Sequence, residues 1–238
     1  MKIGALLLTC EHGGNRVPRE YAYLFAGAKA RRALAGHPGC DLGALPLARA
    51  LARDLDAGLV YWTTTRLLVE PNRSPGHPGL FSEFSRRLDP AARKAVLERY
   101  YAPHRERVLA AVESRCANVG LVCHVGVHSF TPVLGGRRRT ADIGLLYDPA
   151  RRYEAAVCAV WQRALLRCDP TLHVRRNYPY RGDADGLTTA LRRRFPADRY
   201  IGIELETNQV LLAGAGPPRR RVTQAITASL KEVLQTSF

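Results

Sequence analysis

Ala5-Leu6-Leu7-Leu8-Thr9-Cys10-Glu11-His12-Gly13-Gly14 decides how the rest of the chain is read. A short apolar run ended by polar residues and glycines has the pattern of a strand buried on both faces of a sheet, followed by a tight loop. The two glycines let backbone approach closely, so the imidazole of His12 faces a crevice instead of the core. Working outward, Leu42, Leu45, Leu47, Leu51 and Leu55 recur among alanines, which predicts a helix over residues 41–55 with Asp41 as its N-cap. Leu59-Val60-Tyr61-Trp62-Thr63-Thr64, rich in β-branched and aromatic residues, predicts a second strand.

Residues 70–79 are dense in proline and glycine and read as a surface loop. The spacing of Val96, Leu97, Tyr100, Val108, Leu109 and Val112 predicts a long helix over about 90–115. Strands are predicted near 119–127, 142–147 and 200–205, with a helix over 153–166. This alternation predicts an α/β fold with a mostly parallel central sheet covered on both faces, in a three-layer α/β/α arrangement. Ligands bind such sheets at the carboxyl ends of the strands. With 238 residues, 46% of them hydrophobic, and no repeat or linker, the expectation is one domain over residues 1–238.

No apolar run is long enough to span a bilayer and the N-terminus has no secretion-signal pattern, so a soluble cytoplasmic protein is expected. The cysteines, Cys10, Cys40, Cys116, Cys123, Cys158 and Cys168, are too sparse for a disulfide scaffold and read as reduced. A formal charge of +15 favours acidic ligands. Arg137-Arg138-Arg139, Arg192-Arg193-Arg194 and Arg219-Arg220-Arg221 lack interleaved aromatics, so they read as solvated surface rather than a nucleic-acid interface.

Val127-His128-Ser129-Phe130 repeats the arrangement at His12, a histidine at the predicted end of a strand with a turn at Pro132 beyond it. Open catalytic zinc sites take three protein ligands from His, Asp and Glu. His12 and His128 are two candidates; Asp41 is the third, with Glu11 and Asn15 as alternatives beside His12. Glu204, flanked by Ile203 and Leu205, suits a general base, and Glu206 lies on the same strand face. His124 reads as a core histidine, while His37, His77, His104 and His173 have no assigned partner.

His12-Gly13-Gly14 with Val17-Pro18, Asp41 with its Leu/Ala helix, Asn72-Arg73-Ser74-Pro75, Val127-His128-Ser129, Tyr180-Arg181-Gly182 and Ile203-Glu204 occur in an order that resembles the N-formylglutamate amidohydrolase family. Cys10-Glu11, Asn15, Phe130 and Asp183-Ala184 mark the chain as similar to a divergent member. More distantly it is similar to zinc N-acetylmuramoyl-L-alanine amidases and zinc carboxypeptidases. The resemblance implies a phosphorylase/hydrolase-like, zinc carboxypeptidase-like fold, and zinc or another divalent metal on His12, Asp41 and His128. It also implies Glu204 as the base, and Asn72, Arg73, Arg181 and Ser129 around a small anionic amide. Arg66 is a further candidate for support of the site. The alternatives are a peptidoglycan-type amidase or, in a different class, a basic nucleic-acid-binding module on a hydrolase fold.

Overall fold

A computed structural model describes residues 2–238; in it the opening run forms β1 (Ala5–Cys10), followed by a 3₁₀ turn (Arg19–Phe25), α1 (Ala28–Ala35), α2 (Ala44–Asp54) and β2 (Gly58–Tyr61). An irregular stretch leads to α3 (Pro90–Val96) and α4 (Ala102–Val119). Next come β3 (Val122–Phe130), the small hairpin of β4 (Val133–Leu134) and β5 (Arg137–Arg138), and β6 (Ile143–Leu146). The remainder comprises α5 (Arg152–Cys168), β7 (Val174–Arg176), α6 (Leu187–Arg194), β8 (Tyr200–Asn208), α7 (Gln209–Leu212) and α8 (Pro217–Gln235).

Six strands make one sheet in the order β2-β1-β3-β8-β6-β7. β1 pairs in parallel with β2 and β3, β3 with β8, and β6 with β7, while β6 runs antiparallel to β8. The α/β class and the mainly parallel sheet therefore agree with the alternation of the sequence. The reversal of β6 and β7 does not show in it, because an apolar run such as Ile143–Leu146 carries no sign of direction.

Register divides the sheet into two unlike faces. Thr9 is level with Gly126, Gly126 with Glu204, and His128 with Glu206. On one face Leu6, Leu8, Val125, Val127, Ile203 and Leu205 join α2, α5 and α8 in the largest apolar cluster. Complete burial of each such side chain contributes about 1.5–3 kcal/mol. On the other face Leu7, Val122 and Tyr200 pack against Val108 and Val112 of α4 and Leu187 and Leu191 of α6. Toward the carboxyl ends that second face turns polar, presenting His124, His128, Glu204 and Glu206.

Several local expectations need correction. Asp41 does not cap a helix: α2 starts at Ala44 behind Gly43, whose φ of 82° is left-handed and whose absent Cβ would lie 2.5 Å from Leu212 Cβ. The Asp41 carbonyl accepts the Ala44 N–H, and this frees its carboxylate to face elsewhere. The long helix extends to Val119 and contains a π turn, Leu97–Tyr101, just before Pro103. Proline has no N–H to donate, and widening of the ladder accommodates the gap. β2 stops at Tyr61, and β3 continues to Phe130 because β8 pairs with it as far as Asn208, so His128 lies within a strand instead of ending one.

The arginine runs also divide. Arg192 is buried, and its Nε is 3.0 Å from Glu154 Oε1, an oxygen that also accepts the Gly202 N–H at 3.0 Å. Arg139 is buried with its guanidinium near the rings of Phe130 and Tyr180. Their neighbours Arg137, Arg138, Arg193 and Arg194 are exposed. All six cysteines are free, and among the described residues no helix is long and apolar enough to cross a membrane.

His124 contributes to acid sensitivity. Its ring is buried between the Thr9 hydroxyl at 2.8 Å and the Tyr200 hydroxyl at 2.7 Å. Burial above all pushes its pKa down to about 4. The folded state thus favours the neutral ring, so this contribution is complete above the unfolded value near 6.5 and is lost as pH falls toward 4. The span corresponds to something on the order of 3 kcal/mol. In His124→Gln, stability measured by denaturant titration should fall less steeply than wild type over that window. Parallel slopes would assign the sensitivity to other groups.

Candidate active site

At the carboxyl ends of β1, β3 and β8 lies a cavity of about 520 Å³. His12, Asp41, Asn72, Arg73, His128, Ser129, Arg181 and Glu204 all stand on its wall. So do Glu206, Arg66 and His37.

The loop after β1 owes its path to close packing. A Cβ on Gly13 would meet the Trp62 carbonyl at 2.8 Å, and one on Gly14 the Thr63 carbonyl at 2.7 Å. With glycine at both positions the loop lies against residues 62–63, and the Asp41 N–H donates to the His12 carbonyl at 3.0 Å. Asp41 and His12 are thereby joined through backbone. Nδ1 of His12 is 3.2 Å from Asp41 Oδ2, and Nδ1 of His128 is 3.0 Å from the same oxygen. One ligand atom from each of the three buried residues lies within 4.8 Å of the others.

The opposite nitrogens meet further carboxylates. Nε2 of His12 contacts Glu70 Oε1, and Glu70 in turn accepts from Arg66 Nε at 2.6 Å. Nε2 of His128 is 3.1 Å from Glu11 Oε2, an ion-pair approach without hydrogen-bond alignment. Arg66 also reaches Asp41 Oδ1 at 3.3 Å. Burial alone would lower the pKa of both imidazoles, but Asp41 with Glu70, and Asp41 with Glu11, raise them. Burial likewise opposes ionisation of Asp41 and Glu11, yet the rings beside them hold both carboxyls well below the usual range.

Two glutamates of β8 complete the wall. Glu204 Oε1 accepts from Asn72 Nδ2 at 3.4 Å and Thr188 Oγ1 at 3.3 Å. Glu206 is buried, and burial, with Asp41 and Glu204 nearby, raises its carboxyl to about 8. Its Oε2 has no hydrogen-bond partner among the described residues. Asn72 also accepts the Leu187 N–H at 2.6 Å, tying the proline-rich loop to the start of α6. Arg73 Nη1 donates to the Asp185 carbonyl. The Ser129 hydroxyl donates to the Leu42 carbonyl at 2.9 Å. Arg181, largely exposed, forks onto Asp183 at 2.9 and 2.6 Å.

Asn15 is apart from this group, its amide bonded to the Leu34 carbonyl at 2.8 Å. Glu70 and His37 escaped the sequence reading. A lone acid closing the run Leu67-Leu68-Val69 was the available signal for Glu70; His37, four residues before Asp41 and 3.5 Å from it, had only that spacing.

The donors suit a divalent cation. Two imidazole nitrogens and a carboxylate oxygen converge, and the unpartnered buried oxygen of Glu206 lines the same cavity, where positive charge would stabilise it.

Fold and cavity together define a class, an α/β hydrolytic enzyme whose imidazoles and carboxylates gather at the carboxyl ends of a mainly parallel sheet. The chain belongs to the N-formylglutamate amidohydrolase family, whose model matches residues 4–213. It is therefore an amidohydrolase by family. Among solved structures it is similar to the gene product Atu2144 of Agrobacterium tumefaciens, with 31% identity, a TM-score of 0.79 and coverage of 97% of this chain and 92% of that one. It is also similar in fold to the N-formylglutamate amidohydrolase of Ralstonia eutropha JMP134, with 21% identity, a TM-score of 0.74 and coverage of 98% and 94%. No curated protein matches.

Proposed function

We propose that the protein hydrolyses the amide of a small acylated, carboxylate-bearing molecule such as N-formyl-L-glutamate, using a divalent cation, zinc by its donor set, held by His12, Asp41 and His128. The observation that carries this reading is the convergence of those donors with Glu204 and Glu206 on one cavity wall, in a chain of this family. When bound, the cation would supply Lewis acidity toward the scissile carbonyl and make water acidic enough to attack near neutral pH.

The protein's own groups do the rest. Glu204, oriented by Asn72 and Thr188, accepts the proton of the attacking water and delivers it to the departing nitrogen. Arg73 stabilises negative charge developing on the carbonyl oxygen. A specific observation supports Glu206 as a second reading of the proton carrier: it is level with His128 in the sheet and keeps one carboxylate oxygen free of partners. The test is to strip the purified protein with a chelator and follow hydrolysis of N-formyl-L-glutamate, other N-acyl amino acids and peptidoglycan fragments. Activity should vanish and return with zinc. Hydrolysis that survives stripping, or none of any substrate by loaded protein, would overturn the reading.

Arg181 receives a substrate carboxylate only in competition with Asp183, which already occupies its fork. Asp183→Asn should therefore lower KM for N-formyl-L-glutamate by roughly two- to fivefold while kcat changes little, the small size reflecting an exposed pair. An unchanged or raised KM would remove Arg181 from substrate binding.

A further inference from the structure

Behind His128 the chain buries two titratable groups that the reaction outlined above does not use. Glu11 is 1% exposed and His104 is fully buried, and neither reaches the cavity wall. Glu11 Oε2 is 3.1 Å from His128 Nε2, and its Oε1 is 3.8 Å from His104 Nε2. Among the described residues neither oxygen of Glu11 and neither ring nitrogen of His104 has a hydrogen-bond partner elsewhere. A carboxylate buried in this way costs several kcal/mol unless those two rings compensate it.

Both placements have structural causes. Glu11 directly follows β1, two residues beyond Thr9, which is level with Gly126 of β3, and its carboxylate there meets His128. α4 follows the π turn directly, and His104 near its start is buried with its ring 5.8 Å from that of Trp62. Such turns inside helices recur at functional sites.

We propose that Glu11 and His104 are positioning residues for the cation site: Glu11 holds the ring of His128 from its Nε2 side, opposite the Nδ1 that approaches Asp41, and His104 holds Glu11. The proposal rests on the cation-dependent reading of the site. A ligating imidazole commonly has its second nitrogen held by a carboxylate, and loss of that partner weakens metal binding roughly 10–100-fold. Glu70 stands in the same relation to His12 but is bound up with Arg66 on the cavity wall. Glu11 has no such involvement, so its effect can be read on the metal alone.

Metal-free protein titrated with Co²⁺, followed by the visible absorption of the bound ion, tests this. Glu11→Gln should bind roughly 10–100-fold more weakly than wild type and give an altered visible spectrum, with near-UV circular dichroism of the metal-free protein unchanged. His104→Phe keeps a ring against Trp62 and should give a smaller loss. The double variant should be no weaker than Glu11→Gln alone, since the two residues act in series. Affinity of folded Glu11→Gln within about twofold of wild type overturns the proposal. Should Glu11→Gln not fold, unchanged affinity in His104→Phe overturns it. Wild-type protein that takes up no Co²⁺ overturns the cation reading and this proposal with it, a result distinct from equal binding by wild type and variant.

Discussion

His128→Ala will purify without the divalent cation proposed for the wild type and with hydrolysis reduced on the order of a thousandfold or more, since a Lewis acid contributes several kcal/mol and each 1.4 kcal/mol is about a decade in rate. The reason lies in what the ring touches. His128 offers one of three converging ligand atoms, is 3.0 Å from Asp41 and 3.1 Å from Glu11, and has no duplicate nearby among the described residues. Its removal also leaves two buried carboxylates without their shared imidazole. Breaking a buried pair costs about 3–5 kcal/mol, so thermal stability falls as well. Metal content is therefore measured per folded chain, by elemental analysis after gel filtration. Unchanged content would move the site away from His128.

Glu204→Gln will keep the metal and lose about 10²- to 10⁴-fold in kcat, the range expected when a positioned proton carrier is removed. The change is isosteric, so the amide can still occupy the position between Asn72 and Thr188, and loss of the proton carrier is the principal chemical difference. Glu206→Gln is the necessary companion. Glu206 faces the same cavity from two residues further along β8, and the two alternate with Leu205, which belongs to the apolar core. With Glu204 as carrier, Glu206→Gln loses no more than about tenfold. The reverse ranking would assign the proton to Glu206, and full activity in both would place the base elsewhere.

Much of this architecture was legible in the chain because parallel strands advertise themselves. Leu6-Leu7-Leu8 and Leu121-Val122-Cys123 are apolar without interruption, as burial on both faces requires. The His12 loop could be read from Gly13-Gly14. The closeness of Asp41 to the histidines was not legible: a helix start was visible, but the left-handed turn at Gly43 puts the N-cap two residues on, and the Asp41 carboxylate meets His12 and His128 instead of capping the helix. Glu70 and His104 were hidden because their partners are distant in sequence; His12 and Glu70 are 58 positions apart, and no local pattern encodes such a meeting. Buried Arg192 was masked by two exposed neighbours of the same kind, where only the pairing with Glu154 across α5 and α6 tells them apart.

The alternation of β3 and β8 has a consequence for how such a protein can change. Even-numbered positions near the carboxyl ends, His128, Glu204 and Glu206, face the cavity, while odd-numbered Val125, Val127, Ile203 and Leu205 face the core. One stretch of chain thus carries two interleaved messages. Change at odd positions alters how firmly the sheet is held, and change at even positions alters the reacting groups that the cavity presents. The apolar half of each strand thereby fixes, residue by residue, how far apart the reacting groups of the other half are held.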